Sequence, residues 1–144
     1  MKYGLMEITE IQKWEQAVVA LLNLDNWQLE WTGKDYEHYD AKGKTPKGFD
    51  CVIEMKFRET YYETKMLEAY KYQKLMELPK EVVKLYFVND PKGNFMFWLN
   101  NISLPPTVDK YCPDTTMWTK KRVIKPVYLL EENLASIINL NSTY

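Results

Sequence analysis

Histidine is almost missing from these 144 residues, since His38 is the only one. Chemistry that runs on paired imidazoles is therefore excluded, and so is a zinc site built from several histidines. His38 itself reads as a polar loop residue. Cysteine is scarce too: Cys51 and Cys112 stand apart, in no metal-ligand spacing. They cannot assemble a zinc ribbon or an iron–sulfur cluster, and Cys51 reads as a small core residue. No apolar run is long enough to cross a membrane, and residues 1–10 lack the apolar stretch of a secretory signal. A reduced, cytoplasmic protein with no membrane partner is the expectation. Neither sign of charge prevails, with 19 Lys and Arg against 20 Asp and Glu and a formal net charge of −1. A protein that holds nucleic acid by bulk positive charge is thereby excluded, although a local basic patch or a bound cation can supply the same field. No internal repeat or low-complexity tract is present.

What is present suits one domain over residues 1–144. Hydrophobic residues make up 46% of the chain, enough for a sizeable core. The 11 Tyr and 5 Trp exceed what a minimal core requires, and such rings serve wet surfaces and base faces. Apolar residues recur at helical spacing over residues 8–22 (Ile11, Trp14, Val18, Leu22), after a capping box at Thr9-Glu10-Ile11-Gln12. Trp27, Leu29 and Trp31 alternate with polar residues, as in a half-buried strand. Gly43, Pro46 and Gly48 break the polar stretch of residues 34–48, which has room for a hairpin whose first arm lies near residues 38–41. Residues 49–58 give the clearest strand. Thr60-Tyr61-Tyr62-Glu63 reads as a second capping box, opening a helix that Pro79 ends, with Tyr62, Met66, Ala69, Gln73 and Met76 as its stripe. Residues 82–88 and 95–99 read as strands around an Asn89-Asp90-Pro91-Lys92-Gly93 turn. Beyond residue 100 the chain reads as an irregular extension, with a short strand or helix between residues 123 and 140.

The chemistry resides in acids at positions that disfavour them. Glu15 falls on the apolar stripe of the first helix, where a carboxylate is costly without a compensating cation; at the stripe's edge it would simply reach water. In the central strand Cys51, Ile53, Met55 and Phe57 point one way, and Asp50, Val52, Glu54, Lys56 and Arg58 the other. Glu54 and Lys56 thus lie about 7 Å apart on one face. As a bare pair they are an ordinary strand ladder. Their setting, after a polar hairpin and directly before a helix, lends them weight.

The run Gly48-Phe49-Asp50-Cys51-Val52-Ile53-Glu54-Met55-Lys56-Phe57-Arg58 resembles the E-x-K strand of the PD-(D/E)XK nuclease superfamily. The order of elements over roughly residues 9–99 is similar to that superfamily's αβββαβ core. Restriction endonucleases, Holliday-junction resolvases and small phage or repair nucleases share it. The resemblance implies an α/β, restriction-endonuclease-like fold with a mixed central sheet, its core at about residues 8–100. It also implies a nuclease that hydrolyses DNA with Mg²⁺ or Mn²⁺, RNA remaining open. Asp40, Glu54 and Lys56 would be catalytic. Asp40 or Asp50, Glu54 and the Met55 carbonyl would hold the metal, with Glu15 as the helical glutamate. Asp40 stands a hairpin's length before Glu54; Asp50 is on Glu54's own strand face; Asp40 is the preferred of the two. Neither follows the superfamily's proline, a departure from the motif.

This chemistry stands without the family. Phosphodiester hydrolysis needs charge neutralisation and an activated water, and a hard cation takes carboxylate oxygens while keeping several waters. Lys56 would orient the water and stabilise negative charge. Arg58, Lys65 and Lys71 would frame a phosphate track, and Tyr72 and Gln73 resemble the superfamily's auxiliary position. Lys120, Lys121, Arg122 and Lys125, beside Trp118, form a basic cluster suited to a nucleic-acid backbone, or simply a solvated face. Small nucleases of this kind often pair as homodimers, and a phage or mobile-element origin follows by analogy. The other readings are an inactive nuclease-fold binding or inhibitor protein, and an α/β interaction domain in which Glu54 and Lys56 are a plain strand pair.

Overall fold

A computed structural model describes residues 2–35, 37–113 and 122–140. Helix α1 spans Lys2–Leu24, so Thr9 to Gln12 lie inside it and cannot cap its start. Its end is fastened by Asn23, whose side chain donates to the Leu29 carbonyl (3.0 Å) and accepts from the Leu29 N–H (2.8 Å). Asn26 takes a left-handed turn (φ 72°), which asparagine tolerates better than most residues. The chain then enters β1 (Gln28–Trp31).

Strands β2 (Ala41–Lys44) and β3 (Asp50–Phe57) form the expected hairpin, with the first arm later than residues 38–41. Gly43 has φ 154°, and a Cβ there would collide with the Gln28 carbonyl of β1, so only glycine lets the two strands close up. Strands β5 (Val83–Asp90) and β6 (Gly93–Trp98) pair through the Pro91-Lys92 turn. With the short β9 (Ser136–Ile137), they complete a six-stranded sheet in the order β1-β2-β3-β5-β6-β9. Only β3 and β5 run parallel in it, so the sheet is mixed.

Residues 60–63 do not open a helix. They lead into β4 (Thr64–Glu68), and helix α2 is confined to Ala69–Met76. Met, Leu, Lys and Glu favour helix locally, but β4 finds a partner in β8 (Arg122–Glu131), and tertiary pairing overrides propensity. Leu75, rather than the expected Met66 stripe, is the side chain that α2 buries. The C-terminal stretch is likewise more ordered than expected: β7 (Val108–Pro113) joins β4 and β8 in a second sheet ordered β4-β8-β7.

Three layers result. On one face of the central sheet α1 packs Val18, Val19 and Leu22 against Ile53, Met55, Leu85 and Phe87. On the other, Val52, Tyr86, Val88 and Phe97 meet Leu75 of α2, Leu67 of β4 and Leu130 of β8. Because β3 is covered on both faces, its only large polar intrusion is Glu54. Cys51 and Cys112 are buried free thiols. Among the described residues no helix is long and apolar enough to cross a membrane.

Lys65 does not belong to a phosphate track. It lies on β4, buried at 3% exposure, and its ammonium binds Asp90 at 2.6 Å, Glu132 at 3.2 Å and the Tyr62 carbonyl at 2.6 Å. Reading it on a helix face had placed it outside; strand alternation turns it inward with Leu67. This pair ties the β4 sheet to the β5–β6 turn. Replacing Lys65 by Met leaves Asp90 as an uncompensated buried charge, which costs about 3–5 kcal/mol. Urea denaturation should show that loss for Lys65→Met, partly restored by adding Asp90→Asn. An unchanged midpoint would contradict a structural role for the pair.

Candidate active site

The hairpin sets the geometry. Its register pairs Ala41 with Ile53, so the next rung sets Asp40 opposite Glu54. The Asp40 N–H still donates to the Ile53 carbonyl at 2.8 Å. The ladder then ends, and the Asp40 side chain takes over: its Oδ2 accepts from the Met55 N–H at 2.8 Å. The N–H and C=O of one strand residue point to the same edge, so the Met55 carbonyl is directed to the side where Asp40 stands. Asp40 thus lies in the plane of the sheet, at the place where β2 stops covering β3.

Glu54 approaches from the α2 face. It is buried at 6% exposure, and Lys71 of α2 donates to its Oε2 at 3.3 Å. Burial pushes the Glu54 carboxyl up to about 8, helped by the charge of Asp40 and by a hydrogen bond shared with it, against the pull of Lys71. Burial pulls the Lys71 ammonium down, but Glu54 and Asp40 outweigh it and the group is held above its ordinary value. Glu15 comes from the α1 face. It too is buried, at 7% exposure, and its Oε1 accepts from the Trp31 indole N–H at 2.9 Å. Burial, then the charge of Asp40, raises it to about 7, against the Trp31 hydrogen bond and Lys71.

Lys56 lies on the Glu54 side of β3 and is exposed to solvent. Its ammonium is lowered by desolvation first, then by the charges of Arg58 and Lys71. Glu54, Lys56, Arg58, Glu68, Lys71 and Tyr86 share the lining of one small cleft.

The structure therefore brings together Glu15, Asp40, Glu54, Met55, Lys56, Arg58 and Lys71. It does not bring Asp50: the register pairs it with Lys44, whose ammonium donates to it at 2.7 Å, and it stands four residues, about 13 Å, along the strand from Glu54. Lys125 is held by Glu68 at 3.1 Å, so its charge is already matched. Arg122 opens β8; Lys120, Lys121 and Trp118 lie outside the described residues. His38 stacks edge-on near Tyr70, ring centroids 6.4 Å apart, and takes no part. Two functional contacts escaped the sequence reading. Trp31 as partner of Glu15 was foreshadowed only by the need of a half-buried indole for an acceptor. Lys71 was read as a phosphate contact, and its pairing with Glu54 depends on where α2 docks.

Against known proteins the sequence matches no family model and no curated relative. The fold does match. Hjc of Archaeoglobus fulgidus, a Holliday junction resolvase from an archaeal hyperthermophile, superposes with a TM-score of 0.56 over 87% of this chain and 95% of that one, at 10% identity. The chain shares the restriction-endonuclease-like fold of that neighbour. Within that fold, β1–β3 and β5 with α1 and α2 supply the αβββαβ order, and β4 is an addition before α2.

The donors at Asp40, Glu54 and the Met55 carbonyl are oxygens alone, which suits a hard cation such as Mg²⁺ or Mn²⁺. Among the described residues no three His, Cys, Asp or Glu side chains lie close enough to hold a metal by themselves. Glu15 enters from the α1 face, with Oε1 engaged by the Trp31 indole. Two carboxylates and a carbonyl fit a cation that keeps its waters, as Mg²⁺ does.

The two raised carboxyls give a pH dependence with a definite sign. A carboxyl whose folded value lies above 4.5 binds more protons in the folded state, so stability falls as pH rises. For Glu54 the loss begins near 4.5 and is complete above about 8. In chelator-treated protein the melting temperature should drop from pH 5 to pH 8, and Glu54→Gln should flatten the drop. A melting temperature that rises over that range would contradict the burial of a strained acid pair.

Proposed function

We propose that this chain is a divalent-metal-dependent nuclease that hydrolyses phosphodiester bonds of DNA. The observation that carries it is the Asp40–Glu54 pair, set one position beyond the Ala41–Ile53 rung of β2 and β3 with Lys56 and Lys71 alongside. The resolvase likeness supports the same reading and points to DNA as the substrate class. Asp40, Glu54 and the Met55 carbonyl would hold Mg²⁺ or Mn²⁺. When bound, the cation neutralises phosphoryl oxygens and makes a coordinated water more acidic.

The chain's own residues have separate tasks. Asp40 aligns β3 through the Met55 N–H while offering its other oxygen. Lys56, solvent-facing and lowered from its ordinary value, orients the attacking water and stabilises charge on the phosphoryl group. Lys71 compensates Glu54 and, once a cation takes that role, can turn to the substrate phosphate. Glu15 with Trp31 positions Asp40 from behind by charge. Arg58 meets the flanking backbone. One such site cuts one strand, so a double-strand cut calls for a second copy or a second event.

The second reading, an inactive binding scaffold, rests on one observation. Lys71 already neutralises Glu54 at 3.3 Å, an arrangement that can serve without any metal. Plasmid, branched and single-stranded DNA, and RNA, incubated with Mg²⁺ or Mn²⁺, decide between them. Cleavage is expected on DNA, abolished by chelator, and reduced about a hundredfold or more by Asp40→Asn, Glu54→Gln or Lys56→Ala. Cleavage that persists in Glu54→Gln and Lys56→Ala defeats the site. No heat of Mn²⁺ binding together with intact DNA binding favours the scaffold.

A further inference from the structure

A second cleft, of about 260 Å³, opens beside the candidate active site. Arg58, Met66 and Tyr86 line both, so the two are adjacent. Its rim carries two aromatic side chains from different elements. Tyr62 precedes β4 and is 59% exposed; Tyr111 lies on β7 and is 66% exposed. Tyr86 forms a buried inner wall, its hydroxyl donating to the Met66 carbonyl at 2.6 Å. Thr60 and Thr64 add hydroxyls to the lining.

Among the described lining residues Asp90 is engaged by buried Lys65 at 2.6 Å, which also binds Glu132 at 3.2 Å. Arg58 and Lys110 add two cationic side chains to the wall. Flat rings over a concave floor, hydroxyls within it and two cations beside it are what a nucleobase with its phosphate requires. The cleft is too narrow for a duplex, whose bases are stacked and turned inward. A base can enter only if it is out of the helix.

We propose that this cleft receives one unpaired nucleotide of the DNA substrate, next to the scissile phosphate, the base lying against Tyr62 and Tyr111 and its phosphate against Arg58 and Lys110. The proposal rests on the nuclease reading for the position of that phosphate, and it extends that reading to the class of DNA: strands with an unstacked nucleotide at a branch, flap or end. Stacking does not depend on bulk positive charge, so such binding is compatible with a chain of net charge −1.

The test separates this from cleavage. Wild-type protein in chelator, where nothing is cut, is titrated with DNA carrying 2-aminopurine either as the single unpaired nucleotide beside a duplex or at the same position fully paired. Tighter binding to the unpaired form is expected, with its fluorescence quenched several-fold and that of the paired form unchanged. Tyr62→Ala and Tyr111→Ala should each cut the unpaired-over-paired preference about tenfold. Lys110→Ala should cut it less, and less again at high salt. Circular dichroism melting of each variant separates a lost fold from a lost contact. Equal affinity for both DNAs, or a preference that survives Tyr62→Ala and Tyr111→Ala, overturns the cleft. If the preference depends on the tyrosines but no metal supports cutting, the nuclease reading falls and the cleft stands; if cutting occurs without the preference, the reverse holds.

Discussion

Two carboxyls set across one rung of a strand pair, one of them buried, are the constraint around which the structure is arranged. Asp40 and Glu54 repel, and the interior gives Glu54 little water with which to screen the repulsion. Something positive must stand there, or a proton must. In the structure described, Lys71 takes that place. A divalent cation in that place would relieve the same repulsion more strongly, its binding free energy offsetting the cost to folding.

The three layers explain how the acids reach one another. A side chain on β3 faces either α1 or α2, so carboxylates carried on opposite faces meet only at an edge where the sheet is incomplete. The start of β2 makes that edge, and Asp40, just before it, acts by charge on Glu15 on one side and Glu54 on the other. Trp31 holds Glu15 in place. The second sheet is an added wall. With Lys65 and Asp90 locking β4 against the β5–β6 turn, it encloses the tyrosine-rimmed cleft beside the candidate site.

The sequence disclosed the centre of this arrangement better than its surroundings. Glu54 and Lys56 could be read because period-two alternation in β3 is strict, and the other face of that strand is apolar. Asp40 is legible from hairpin length, as a competitor of Asp50; the register places Asp40 beside Glu54 and Asp50 opposite Lys44. Helix α2 is shorter than local pattern predicts, since residues 64–68 carry helix-favouring side chains and become a strand only by pairing with β8, far along the chain. For the same reason β7 and β8 passed as an irregular tail. Lys65 followed that error, turned outward on a helix that does not exist there. Lys71 and Lys125 were legible as cations, but their carboxylate partners come from other elements, and no local pattern announces such pairs.

Locating Mn²⁺ by its anomalous scattering in a crystal of the metal-loaded protein addresses the central claim most directly. A peak between the Asp40 and Glu54 carboxylates, with Lys71 moved off Glu54, is the expected result. Crystals soaked in saturating Mn²⁺ that show no peak there, and Glu54 still bound to Lys71, would contradict it.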